Sequence, residues 1–181
     1  ILSSGIGIKE CIKSIKKINQ IPGRLEKINI PKKLKNNNIS IFIDYAHTPD
    51  ALAKVLKTLK KMTSNKLSIV FGCGGNRDLE KRPLMGKIAK KIADKIYITD
   101  DNPRNESPKK IRSDILKTCS GAIEIASRYK AIKEAIKKCE FGEILLIAGK
   151  GHEDYQIFSR KTIKFSDKET ILKILKNKSF C

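Results

Sequence analysis

Between residues 39 and 148 the sequence alternates short apolar runs with longer amphipathic stretches, and this alternation leaves little choice of fold. The apolar runs at 39–43, 67–71, 95–98, 122–126 and 143–148 are of strand length and read as buried strands. The stretches between them carry helical spacing. Leu52, Val55, Leu56, Leu59 and Met62 share one face of the first, and Leu84, Ile88, Ala89 and Ile92 are expected to point inward from a helix over about 83–93. Pro108 suits the first turn of the next helix, which runs to about Cys119. Ile132, Ala135 and Ile136 mark the helix after that. A strand-helix repeat of this kind predicts an α/β fold, a mostly parallel sheet with helices on both faces. Two alternating segments, 155–158 and 162–165, predict a C-terminal β-hairpin. Ser166 and Glu169 then form an S-x-x-E signature for a last helix to about Lys176.

The first part of the chain reads differently. Ile8, Cys11, Ile12, Ile15 and Ile18 recur at helical spacing over residues 1–20, and Ile21-Pro22-Gly23-Arg24-Leu25-Glu26 breaks the pattern. The polar stretch 31–38, PKKLKNNN, has the composition of a linker, so a domain boundary is expected there, dividing 1–36 from 37–181. The chain begins with Ile1, which leads us to expect a processed protein or a piece of a longer one. No apolar run approaches the ~18 residues of a membrane span and no signal-peptide pattern opens the chain, so membrane insertion is not expected. Cys11, Cys73, Cys119, Cys139 and Cys181 are odd in number and widely spaced, which fits reduced thiols in a cytoplasm better than a disulfide or zinc framework.

The chemically rich stretches follow the strands: DYAHTPD (44–50), GCGGNRD (72–78), TDDNPRNE (99–106), SR (127–128) and GKGHED (149–154). In a parallel sheet such loops converge beyond the carboxyl ends of the strands, where ligands bind. One composite site is therefore expected. In its third loop Pro103 fixes φ and keeps Asn102 out of the helical region. Arg104 offers a planar fork suited to a carboxylate, beside acidic residues that could hold an ammonium. The alternative is a polar turn in which Arg104 pairs with Asp101 or Glu106. Gly72-Cys73-Gly74-Gly75 admits close approach of an anion or merely makes a tight turn, and Arg77 beside it is a second fork. Gly149-Lys150-Gly151 resembles a fragment of a phosphate loop, yet no G-x-x-x-x-G-K-[ST] occurs in the sequence. His47 and His152 are the only histidines, and no spacing dictates a metal. Together these residues describe half of a site for a zwitterionic amino acid and part of a nucleotide.

A net charge of +20 invites a nucleic-acid reading. It is set aside because only seven of 39 basic residues are Arg, and the Lys are spread over every predicted helix face with little aromatic interleaving. Nucleic acid is not an expected partner.

The stretches PGRLE (22–26), DYAHTPDAL (44–52), FGCGGNRDLEKRPLMG (71–86), TDDNPRNESP (99–108) and AGKGHEDYQ (148–156) resemble the C-terminal part of the Mur ligase family, in the family's order. The branch most similar adds the third residue of the peptidoglycan peptide. The resemblance implies a Rossmann-like third domain at 37–181 and the tail of a central ATPase domain at 1–36. It implies ATP-dependent amide formation through an acyl phosphate, with UDP-MurNAc-L-Ala-D-Glu, meso-diaminopimelate and ATP as substrates. Mg²⁺ is implied as cofactor, its ligands in family regions with no counterpart here. Carried over by position, Arg24 contacts the nucleotide phosphates, Asp44 the ribose, and His47 lies close by. Arg77 grips the carboxylate near the reacting amine. Asn102, Arg104 and Gly149 hold the distal carboxylate, Glu153 holds the distal ammonium, and Asp101 and Pro103 complete the loop. Arg104 in DNPR is the family's mark of selectivity for meso-diaminopimelate over L-lysine. Two rival readings remain open: a free-standing or degenerate amino-acid-binding domain, and a basic nucleic-acid-binding module.

Overall fold

The computed structural model describes residues 5, 7–15, 17–30 and 38–177. Its centre is a six-stranded sheet in the order β1-β2-β6-β3-β4-β5. The parallel strands are β2 (Ser40–Asp44), β6 (Ile144–Ala148), β3 (Leu67–Phe71), β4 (Lys95–Ile98) and β5 (Ile123–Glu124). A two-residue strand, β1 (Glu26–Lys27), adds antiparallel to β2, pairing Glu26 with Ile43 and Lys27 with Phe42. β3 and β6 are buried along their whole lengths, as LSIVF and ILLIA require of strands covered on both faces.

Strand order explains which helix lies where. From β2 the chain moves outward through β3 and β4 to β5, by way of α2 (Pro49–Lys61), α3 (Lys81–Ile92) and α4 (Pro108–Leu116). Right-handed crossovers in one direction put their helices on one face. The chain then reverses through α5 (Arg128–Lys137) to insert β6 between β2 and β3, and reversal puts α5 on the other face. The side chains agree. Phe42, Ile69, Phe71, Ile98 and Leu146 pack with Leu52, Leu56, Met85 and Ile111 of α2, α3 and α4. Their period-two neighbours Ile41, Ile43, Val70, Tyr97, Leu145 and Ile147 pack with Ile132 of α5 and Ile171 and Ile174 of α6 (Asp167–Lys176). A hairpin, β7 (Tyr155–Phe158) with β8 (Lys161–Lys164), precedes α6.

The helices start where their caps place them. The Thr48 hydroxyl accepts from the Ala51 N–H at 3.4 Å with Pro49 following, and Ser166 accepts from the Glu169 N–H at 3.3 Å. Three expectations are corrected. Leu84 is about half exposed; the inward face of α3 is Arg82, Met85, Gly86 and Ala89. Met62 is the exposed C-cap of α2 instead of a core residue. The run 122–126 yields only Ile123–Glu124 as strand, both exposed, because β5 is the outer edge. The N-terminal helical pattern forms α1 (Ile8–Ile15), with Ile8, Ile12 and Ile15 exposed and no residue buried. The expected linker at 31–38 lies outside the described residues except for Asn38. Among the described residues no helix is long and apolar enough to cross a membrane.

Candidate functional site

The loops after β2, β6, β3 and β4 meet at the carboxyl edge of the sheet around a cavity of about 390 Å³. It brings together seven of the residues singled out from sequence. His47 comes from the β2 loop and Arg77 from the β3 loop. Asp101, Asn102 and Arg104 come from the β4 loop, and Gly149 and Glu153 from the β6 loop. Arg24, Asp44 and Pro103 do not line it. Arg24 lies one side chain away, its guanidinium 4.8 Å from the ring centroid of Tyr45, which does line it. Asp44 works from beneath: its carboxylate accepts from the Leu25 N–H at 2.7 Å and the Ala46 N–H at 2.8 Å, fixing the Arg24 segment to the end of β2.

The β3 and β4 loops are joined backbone to backbone. The Gly75 N–H donates to the Asn102 carbonyl at 2.9 Å, and Arg104 Nη1 donates to the Gly75 and Asn102 carbonyls at 3.1 and 3.3 Å. A Cβ on Gly75 would stand 1.9 Å from the Pro103 carbonyl oxygen, so no other residue fits. Arg82, fully buried, braces both loops from below through the Gly74 carbonyl, the Glu106 carboxylate and Asp114 at 3.2 Å. The alternative in which Arg104 pairs with Asp101 or Glu106 is not what the structure holds. Glu106 is taken by Arg82, and Asp101 Oδ1 accepts from the Asn102 N–H at 2.7 Å. Arg104 adopts φ 54°, and the hairpin holds it there. Its N–H donates to the Ile157 carbonyl at 3.0 Å and its carbonyl accepts from the Ser159 N–H at 2.6 Å. Gln156 Nε2 reaches the Asp101 carbonyl at 2.8 Å. The hairpin thus works as a clamp on the β4 loop, a role its alternating pattern does not announce.

The wall formed by the β6 loop is charged and paired. Glu153 Oε2 accepts from Asn102 Nδ2 at 3.0 Å and from Lys150 Nζ at 2.9 Å, and Oε1 accepts from the Tyr45 hydroxyl at 3.5 Å. Gly149 turns at φ 110°, with the Asp101 carboxylate 2.9 Å from where a Cβ would be. Burial, then the Glu153 charge, pushes the Tyr45 hydroxyl above its usual range, so it stays a neutral donor. Burial pushes the Cys73 thiol up to about 12, so this cavity-lining sulfur is no nucleophile. Arg77 lines the cavity with an exposed side chain and, like Arg104, has no carboxylate partner among the described residues. The sequence reading missed Tyr45 and Lys81 as lining residues; Lys81 donates to the His47 carbonyl at 3.1 Å from the first turn of α3. Among the described residues no group of three or more His, Cys, Asp or Glu side chains gathers that could hold a metal ion. What they can do is bind a ligand carrying both carboxylate and ammonium groups and orient it.

The family model described as Mur ligase, glutamate ligase domain, matches residues 23–151. The UDP-N-acetylmuramoyl-L-alanyl-D-glutamate--2,6-diaminopimelate ligase of Prochlorococcus marinus subsp. pastoris is 48% identical over 180 residues, covering 95% of this chain and 34% of the relative. That of Rickettsia montanensis is 49% identical over 177 residues, covering 96% and 35%. A solved structure of a ligase of the same name superposes with a TM-score of 0.78 at 39% identity, over 96% of this chain and 35% of the other. A bifunctional folylpolyglutamate synthase/dihydrofolate synthase from Yersinia pestis shares the fold at 17% identity and TM-score 0.59, over 79% of this chain and 32% of its own. The chain spans about a third of the length of the curated relatives it matches.

Proposed function

The chain belongs to the Mur ligase family, and on that premise we propose that it is the amino-acid-presenting part of a cytoplasmic, ATP-dependent ligase that adds meso-diaminopimelate to UDP-MurNAc-L-Ala-D-Glu. The observation that carries this is the cavity itself. Arg77 and Arg104, two guanidiniums without carboxylate partners among the described residues, share it with Glu153. A substrate with two carboxylates and two ammonium groups offers a partner to each. L-Lysine lacks the distal carboxylate and would leave one fork unmatched, at a cost on the order of 1–3 kcal/mol or more.

In this reading the D-glutamate carboxylate of the acceptor attacks the γ-phosphorus of ATP, and ADP leaves. The amine of meso-diaminopimelate, having lost a proton, attacks the acyl carbon; the C–O bond breaks and phosphate leaves with its electrons. The contribution of this chain is positioning. Arg77 holds the carboxylate beside the reacting amine. Asn102, Arg104 and the Gly149 backbone hold the distal carboxylate, Glu153 takes the distal ammonium through Oε1, and Asp101 and Pro103 shape the loop. Arg24 faces the nucleotide phosphates from its place on Tyr45, with Asp44 toward the ribose and His47 beside it. ATP is a shared substrate in this scheme. Mg²⁺ would be held by residues other than those described. Residues 1–36 are assigned to the tail of a central ATPase domain and its linker, whose short strand β1 joins the sheet of the amino-acid domain at 37–181.

The test is ATP-dependent incorporation of labelled meso-diaminopimelate into UDP-MurNAc-L-Ala-D-Glu by a full-length protein containing this chain. No incorporation, or equal incorporation of L-lysine, would overturn the proposal. The 181-residue chain by itself is expected to hydrolyse no ATP, since its sequence has no phosphate-loop motif.

A further inference from the structure

Lys150 is fully buried against two residues that line the cavity, without lining it itself. A buried ammonium is costly unless hydrogen bonds replace its water. Its donors go to two residues of the site, Glu153 Oε2 at 2.9 Å and Asn102 Oδ1 at 3.3 Å. The second contact has a geometric consequence. Asn102 Oδ1 also accepts from the Ile157 N–H at 3.1 Å. An ammonium and a backbone N–H donate and never accept, so the carboxamide oxygen must face them. The amide nitrogen is then turned to Glu153, 3.0 Å away, and to the cavity that Asn102 lines. The Lys150 charge also balances Glu153, which otherwise would repel any carboxylate brought against Asn102.

We propose that Lys150 is a positioning residue that sets the cavity's preference for a ligand carboxylate: together with the Ile157 N–H it holds the Asn102 carboxamide oxygen, so that Asn102 presents N–H, and it cancels the charge of Glu153 beside it. This deepens, and rests on, the reading of the cavity as the meso-diaminopimelate site. The lysine is not a phosphate contact, because its ammonium is enclosed by protein on every side.

The experiment is an NMR titration of the 181-residue chain with meso-diaminopimelate and with L-lysine, comparing wild type with Lys150→Met. In the wild type meso-diaminopimelate should bind more tightly. In Lys150→Met the ratio of the two Kd values should fall by about tenfold, the worth of one charge-assisted hydrogen bond. An unchanged ratio in a folded variant overturns the proposal. A second readout needs no ligand: hydrogen exchange of the Asn102 carboxamide protons in Lys150→Met/Glu153→Gln against Glu153→Gln alone, two variants with the same acceptor at position 153. The double variant leaves no unpaired buried charge and keeps the test alive if Lys150→Met alone does not fold. Exchange faster by about tenfold or more is expected on loss of the bond to Lys150; unchanged exchange overturns the proposal. A wild-type chain that binds neither amino acid would overturn the amino-acid reading instead, and the exchange measurement still decides what Lys150 does.

Discussion

The guanidinium of Arg104 rests on the carbonyl oxygen of Gly75, 3.1 Å away and on a different loop. Among the described residues only Nη1 is engaged in this way, with the Asn102 carbonyl as its second acceptor. The rest of the fork is left for a ligand, and its base is anchored by the glycine-rich turn instead of by a carboxylate that would compete with one.

Arg104→Ala in a full-length ligase should therefore lose meso-diaminopimelate use far more than L-lysine use. Two charge-assisted bonds of roughly 1.5–3 kcal/mol each correspond to about 10²–10⁴ in kcat/KM. Arg104→Lys should restore only part, since an ammonium has no planar fork. The deciding quantity is the ratio of kcat/KM for the two amino acids; a ratio equal to the wild type's removes Arg104 from selectivity.

Asp44→Ala should raise the KM for ATP more than that for the amino acid. Its carboxylate pins the Leu25 N–H, and with it the Arg24 segment, to the end of β2, outside the amino-acid cavity. Steady-state kinetics in which only the amino-acid KM rises would contradict the assignment.

Arg128→Ala should cost about 3–5 kcal/mol of stability, because it strands a fully buried Asp167. Arg128 donates to both Asp167 oxygens at 2.7 and 2.8 Å and to the Ala148 carbonyl at 2.9 Å. Arg128→Met with Asp167→Leu should recover much of the loss in urea unfolding. A single variant as stable as the wild type would show that the pair contributes nothing.

Hydrogen bonds from Lys66 and then Lys95 hold the Glu140 carboxyl down at about 2, from an ordinary 4.5. A depressed folded value stabilises above the unfolded one, so this contribution is complete above about pH 4.5 and is lost as pH falls toward 2. The urea midpoints of wild type and Glu140→Gln should differ at pH 7 and converge near pH 2. A gap that persists at the acid end would assign the effect to packing.

Much of this was legible in the sequence because strands and site share one signal: apolar runs that stop abruptly at Asp44, Gly72, Thr99 and Gly149 mark both the sheet and its carboxyl edge. β1 was not legible, since Glu26–Lys27 has no strand periodicity and is held by its pairing with β2 and by the buried Ile28 that follows. In α3 the apolar pattern holds at Ile88, Ala89 and Ile92, which reach the core, and fails at Leu84, because a charged residue that such a pattern does not count, Arg82, occupies the inward face of the first turn. Gly149-Lys150-Gly151 resembles only part of a phosphate loop, and nothing in that spacing announces that Lys150 is fully buried, its ammonium 5.4 Å from the Tyr155 ring centroid. The hairpin's clamp on Arg104 depends on contacts across more than fifty residues, which no local pattern encodes.

The clearance between Gly75 and Pro103 is smaller than a methyl group. Two loops that meet this closely cannot change length independently. An insertion in either would part the Gly75–Asn102 bond and carry the Arg104 fork away with it. Such a site has little freedom to acquire a new substrate by growing or shortening its loops. It is confined to exchanging side chains on a fixed backbone, so that a single position such as 104 is where specificity is free to drift.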